Sequence, residues 1–273
     1  MNLRFLPKPK LWRALVLALF LIPLIAPVNF VIIQPGAGTP LFPKVLKLDN
    51  QAVETFVPNG QMYLLSIWVS NPDAKVLGAE VLTCWVRGDC VVIPRSTIYQ
   101  RDTDTKRELQ KSKETMRVSQ DTAVLAAKKV LAAQYPEVNI SGLANSSLTV
   151  TLTNTGGPSG GLIFALGILE LLTEEDLLQG RKVSASGTIS ESGEVGSIGG
   201  ISEKIIAAKE AGSTLLFASR DNCDDLPSRV SGISVVAVDT LQEALKYLQS
   251  NAPVGREGLA PRGEIVGCTN LRA

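Results

Sequence analysis

A chain of 273 residues that is 45% hydrophobic can bury a substantial core, so neither a disordered segment nor a mini-protein describes it. Its 27 basic and 26 acidic residues leave a net charge of +1, too weak a field to draw nucleic acid as a partner. The chain has no histidine, which excludes a Ser-His-Asp triad, a Cys-His pair and every His-ligated metal site; a hydrolytic base must be Lys, Asp, Glu or a terminal amine.

Residues 14–33, ALVLALFLIPLIAPVNFVII, carry no charge and predict a transmembrane helix in contact with the lipid bilayer. Pro23 and Pro27 are tolerated in such helices; a cleaved signal peptide is the alternative. Arg4, Lys8, Lys10 and Arg13 precede the run, and residues 34–43 form a linker without a basic residue. The positive-inside rule then places residues 1–13 in the cytoplasm and the rest outside.

Residues 44–117 read as a β-rich segment, with runs at 62–69 (MYLLSIWV) and 90–94 (CVVIP) between Gly/Pro/Asn breaks. Cys84 and Cys90 flank Arg87-Gly88-Asp89, so a disulfide across a hairpin is expected. Cys223 and Cys268 would then pair, although four cysteines allow three connectivities and free thiols stay open. Residues 101–117 mix six basic and four acidic residues, the pattern of a solvated helix or loop.

A unit over 118–250 follows, with 251–273 as a tail. Ser119 is expected to cap a helix through Gln134, with Val124, Ala127, Val130 and Leu131 on its apolar face, and Pro136 beyond it. Leu148, Val150 and Leu152 alternate with threonines as a half-buried strand. Strands are predicted at 183–189, 214–218 and 233–238, and helices at 159–172, 202–211 and 240–249. The last opens on a Thr240/Glu243 capping box. With no regular βαβ repeat, the fold class expected is α+β.

Asn154-Thr-Gly-Gly-Pro-Ser-Gly-Gly161 joins the Thr-rich strand to an apolar helix and puts Ser159 in its first turn. Unpaired N–H groups there can bind an oxyanion, and glycines let a substrate backbone approach. A second helix, ISEKIIAAKEAG, is expected to start with Ser202 as N-cap and to stop at Gly212. Lys204 lies in its first turn, where the helix dipole and burial both disfavour the charged ammonium. Taken alone, each element reads more readily as the ordinary feature, a helix-cap serine in a Gly-rich turn and a solvated lysine on an amphipathic helix.

Taken together, GPSGG, the ASGTI strand and GxVxxIGGxxEKxxAAKxAG resemble the peptidase domain of the Lon family, from about Ser119 to Leu248. The resemblance implies a Ser-Lys catalytic dyad of Ser159 and Lys204, supported by Gly157, Pro158 and Gly160. Ser186 stands where that family has a threonine able to orient the lysine. It also implies a protein or peptide substrate, with neither cofactor nor metal. Two departures stand out. No G-x-x-x-x-G-K-[ST] string occurs, so ATP-independent cleavage is expected, and Gly156 replaces an acidic residue. The nearest likeness is to membrane-anchored, ATPase-free Lon-like proteins, here without room for a PDZ domain before the nucleophile loop. The alternative function is a non-catalytic membrane scaffold binding peptides in the same groove. The oligomeric state is open, a homo-oligomer included.

Overall fold

The computed structural model describes residues 9–48, 53–143, 148–150, 155–227, 229–250 and 265–268. In chain order the first elements are α1 (Pro9–Ile25), β1 (Pro27–Val28), β2 (Phe30–Pro40), β3 (Leu46–Leu48), β4 (Gln61–Val69), β5 (Val76–Leu77), α2 (Gly78–Arg87), β6 (Val91–Pro94) and α3 (Arg95–Ile98). Next come α4 (Thr105–Gln134), β7 (Leu148–Val150), α5 (Gly161–Leu172), β8 (Lys182–Ser186), β9 (Thr188–Ile189) and β10 (Val195–Gly196). The chain continues through α6 (Ile201–Glu210), β11 (Leu215–Ser219), β12 (Ser234–Val238), α7 (Leu241–Gln249) and β13 (Ile265–Val266). The remainder of the Thr-rich strand, 151–154, lies outside the described residues.

Two compact units form. The first combines Met1–Gln34 with Trp68–Thr105. Its helix α1 stops at Ile25, because Pro27 disfavours helical backbone at Ala26 and the β-branched run beyond it prefers a strand. Phe30–Ile33 pair antiparallel with Val91–Pro94, and Val31, Ile32 and Ile33 are buried. The single helix expected over 14–33 is therefore replaced by helix, bend and strand. No helix among the described residues is long and apolar enough to cross a membrane.

Cys84 lies on α2, not on a hairpin strand. That helix ends at Gly88, whose φ of 67° is left-handed and whose N–H donates to Cys84 O at 3.0 Å. A disulfide joins Cys84 to Cys90, with Cα atoms 5.6 Å apart. The segment 44–117 is thus mixed, holding α2, α3 and the start of α4 among its strands.

The second unit combines Pro35–Ile67 with Lys106–Ala273. Within it the strands lie in the order β13-β12-β11-β8-β4. Every one of these neighbours is parallel, joined by crossovers that carry α6 and α7. This is a mixed α/β architecture and corrects the α+β expectation. Parallel strands covered on both faces lose the alternation that marks an amphipathic strand. In β11, Leu215 and Phe217 join the core built with α4, α5 and α7, while Leu216 and Ala218 join the core under α6.

Helix α4 begins at Thr105, whose N–H donates to Asp73 Oδ2 at 2.9 Å, so Ser119 is a buried mid-helix residue rather than a cap. Its mixed-charge half is held by Arg117, which pairs with Glu114 at 2.8 Å and Asp121 at 2.8 Å. The expected boundary between 117 and 118 therefore falls inside one helix. The 183–189 strand is broken at Gly187 into β8 and β9. Thr240 Oγ1 caps α7 by accepting the Glu243 N–H at 3.2 Å. The Glu243 carboxylate turns instead to the Asp239 N–H, at 2.9 Å.

Candidate active site

Ser159 lies in a 3-10 turn, Pro158–Gly160, that leads straight into α5. Both peptides flanking it are pinned. Pro158 O accepts from Gly161 N–H and from the Ser119 hydroxyl at 2.9 Å. Ser159 O accepts from Gly187 N–H at 3.0 Å and from Ser186 Oγ at 3.3 Å. One residue earlier, Gly157 N–H donates to Ser112 O at 2.8 Å. Helix α4 thus grips the loop through Ser112 and Ser119, which lie seven residues apart on one helical face.

The loop's glycines serve packing more than substrate approach. A side chain at Gly156 would run into Ser112, whose Cβ would lie 2.9 Å from the added carbon. At Gly160 it would meet Phe164 at 2.8 Å and Leu64 at 3.0 Å, and at Gly161 it would meet Ile189 at 2.8 Å. Gly157 is different: nothing lies within 4 Å, and its φ of +91° strains any other residue.

Lys204 comes from the second motif. The N-cap of α6 is Gly200, with φ +70°, rather than Ser202, and Lys204 N–H donates to Gly200 O at 3.0 Å. Upstream, Asn222 holds Ile198 from both sides, accepting its N–H at 3.0 Å and donating to its O at 2.8 Å. Asn222 neighbours Cys223, which is disulfide-bonded to Cys268 with Cα atoms 5.6 Å apart. Gly212, with φ +77°, follows the helix end.

The Lys204 side chain is 2% exposed, and burial pushes its pKa down from 10.5 to about 7. Its Nζ donates to Ser186 Oγ at 2.9 Å. Ser186 therefore links Lys204 to the Ser159 carbonyl, and no direct bond joins Nζ to the Ser159 hydroxyl among the described residues. Glu203, beside Lys204, is also buried, with its carboxyl pushed up by desolvation. Such a constellation can shuttle a proton near neutral pH beside a serine that opens a helix. Among the described residues no cluster of three or more acidic or cysteine side chains is placed to hold a metal ion.

The sequence reading named Ser159, Lys204, Ser186, Gly157, Pro158 and Gly160, and the fold brings all six into this one region. It missed Ser112 and Ser119 as loop contacts. Their seven-residue spacing was the available signal, hidden because the helix was started too late.

The model of the Lon protease (S16) C-terminal proteolytic domain matches residues 113–250. The chain belongs to this family. Similar proteins include a mitochondrial Lon protease homolog of Caenorhabditis elegans, 32% identical over 143 residues, which are 48% of this chain and 14% of that protein. Lon protease 2 of Bacillus subtilis is 34% identical over 97 residues, 36% of this chain and 17% of its own length. Lon protease of Koribacter versatilis is 36% identical over 117 residues, 40% of this chain and 14% of that protein. This Lon-family chain therefore spans well under a fifth of the length of these relatives.

Proposed function

We propose that the chain is a serine endopeptidase that works without ATP, with Ser159 as nucleophile and Lys204 as general base. The observation that carries this reading is the buried Lys204 amine, held by Ser186 beside the Ser159 peptide and brought to a pKa of about 7. Such an amine is substantially neutral at working pH, as a base must be.

In this mechanism neutral Lys204 takes the proton of the Ser159 hydroxyl as Oγ attacks the scissile carbonyl. The ammonium then gives that proton to the departing amine as the C–N bond breaks, leaving an acyl-enzyme. Water attacks the ester, passing a proton to Lys204, and the proton returns to Ser159 Oγ as the acid leaves. Backbone N–H groups around Ser159, in the turn before α5, stabilise the oxyanion, since those of Gly161 and Leu162 already donate to Pro158 O and Gly187 O. Ser186 positions the lysine. ATP independence is proposed because no Walker string occurs within these 273 residues.

Covalent capture by a fluorophosphonate probe tests the reading: label on Ser159, lost in Ser159→Ala, is expected. A folded chain that cleaves peptides unchanged after Ser159→Ala overturns it, and one that binds peptides without labelling is the scaffold.

We further propose attachment to a membrane through α1, with Arg4, Lys8, Lys10 and Arg13, which precede its uncharged run from Ala14, on the cytoplasmic side and the Lon-family unit outside. Protease added to intact spheroplasts should digest that unit; full protection reverses the orientation.

A further inference from the structure

The exposed apolar side chains crowd into the first unit. Helix α1 exposes Leu15, Leu17, Leu19, Phe20, Ile22 and Ile25, so it is apolar on every side. A helix of that kind is covered by protein or by lipid. All three tryptophans of the chain belong to this unit, with Trp12, Trp68 and Trp85 exposed by 58%, 66% and 79%. Residues 1–34 contain four basic residues and no acidic one, which favours an anionic lipid surface as the cover.

Helix α1 has 17 residues and so extends about 25 Å, short of the ~30 Å hydrocarbon core. Helix α2 starts against the far end of α1. Gly78 N–H donates to Ala26 O at 3.2 Å, and Gly78 has no room for a side chain because Pro23 O lies there. Leu82 and Val86 follow Gly78 at steps of four, with Trp85 beside them, so an exposed apolar stripe runs from the α1 contact along α2. The other side of α2 is polar: Glu80, Thr83 and Arg87 line a cavity with Trp68.

We propose that Leu82, Trp85 and Val86 form a second lipid-contacting surface, seated at the bilayer interface where α1 ends, with Trp85 at headgroup level. The stripe adjoins the end of α1 that lies away from Trp12, so lipid covering that end of α1 reaches Trp85 as well. This inference rests on the membrane attachment proposed above.

The test reconstitutes the full chain in phosphatidylcholine/phosphatidylglycerol vesicles as two single-tryptophan variants. One keeps Trp12 (Trp68→Phe, Trp85→Phe) and the other keeps Trp85 (Trp12→Phe, Trp68→Phe). Lipids brominated at shallow acyl positions should quench Trp85 emission about twofold, and deep bromines should quench it less. Adding Leu82→Ser and Val86→Ser should restore that emission while the Trp12 signal stays quenched. Quenching of Trp12 without Trp85 overturns the second surface and leaves attachment standing. If neither is quenched, attachment itself falls. A blue-shifted, unquenched Trp85 in a dimeric protein also overturns the inference, since a second copy then covers the stripe.

Discussion

Two buried ionisable groups sit toward opposite ends of α5 and have been driven to nearly the same pKa. Lys204, linked through Ser186 to the turn that opens the helix, is lowered to about 7 by burial. Glu170, near the helix end, is raised to about 7, by burial first and by the nearby Asp176 second. The same desolvation acts on both, yet their surroundings differ. The lysine has a hydroxyl partner beside a pinned, glycine-rich loop. One Glu170 oxygen, Oε2, has no hydrogen-bond partner, while backbone N–H groups of Leu177 and Leu178 serve the carboxylate. A shifted pKa therefore does not by itself mark a site; what lies within hydrogen-bonding reach does.

The most severe way to break this comparison is to remove the lysine's titration. Lys204→Met should fold and reduce peptide turnover by about a thousandfold or more, as loss of a base does in activated-serine enzymes. Near-normal turnover would put Lys204 in the same purely structural class as Glu170. In the unchanged chain the rate should rise with pH along one limb centred near about 7, well below the ordinary lysine value of 10.5. A limb centred at the ordinary value would remove Lys204 from the mechanism.

A smaller effect is expected from Ser119→Ala. The Pro158 carbonyl then keeps only the Gly161 N–H, and the peptide plane that carries the Ser159 N–H is less firmly held. Loss of about 1 kcal/mol of orientation predicts a fall of roughly fivefold in kcat with KM little changed. Ser119→Thr should rescue it. A matched fall in kcat and thermal stability without rescue would make Ser119 merely structural.

The last effect falls on stability and leaves the rate alone. Between about 4.5 and about 7 the native chain holds the Glu170 proton that the unfolded chain has lost, so stability falls as pH rises through this window. Lys204 acts in the next window. Between about 7 and 10.5 the unfolded chain binds the extra proton, so stability rises with pH. Urea titrations should show a shallow minimum near neutrality. Glu170→Gln should flatten the acid side alone and add on the order of 2 kcal/mol at pH 8.

Much of this was legible before the fold was seen. Elements α5, α6, α7, β4, β11 and β12 were all found within a residue or two of the predicted bounds, because their apolar runs end at glycines, prolines or caps. The α2 region was misread because Cys84-Trp85-Val86 resembles a strand, whereas its apolar stripe is exposed and only Cys84 is buried. The start of α4 was missed since no apolar face marks residues 105–115, which are held by a cap from Asp73 and by charge pairs. The parallel sheet escaped because Leu215-Leu216-Phe217-Ala218 is buried on both faces and has no period to read. Ser186 beside Lys204 was within reach of motif reading; Ser112 against Gly156 was not, for nothing in either local sequence refers to the other.

That last contact ties two distant positions into a single heritable shape. The space a side chain would need at Gly156 is taken by the Ser112 backbone and hydroxymethyl group, and the Gly157 N–H closes on the Ser112 carbonyl. Placing a carboxylate at 156 would require α4 to move, because the obstruction includes main chain that no substitution at 112 deletes. The small residue at 156 and the path of α4 past it are therefore one design constraint met at two places, and a designer who changes either one has to rebuild both.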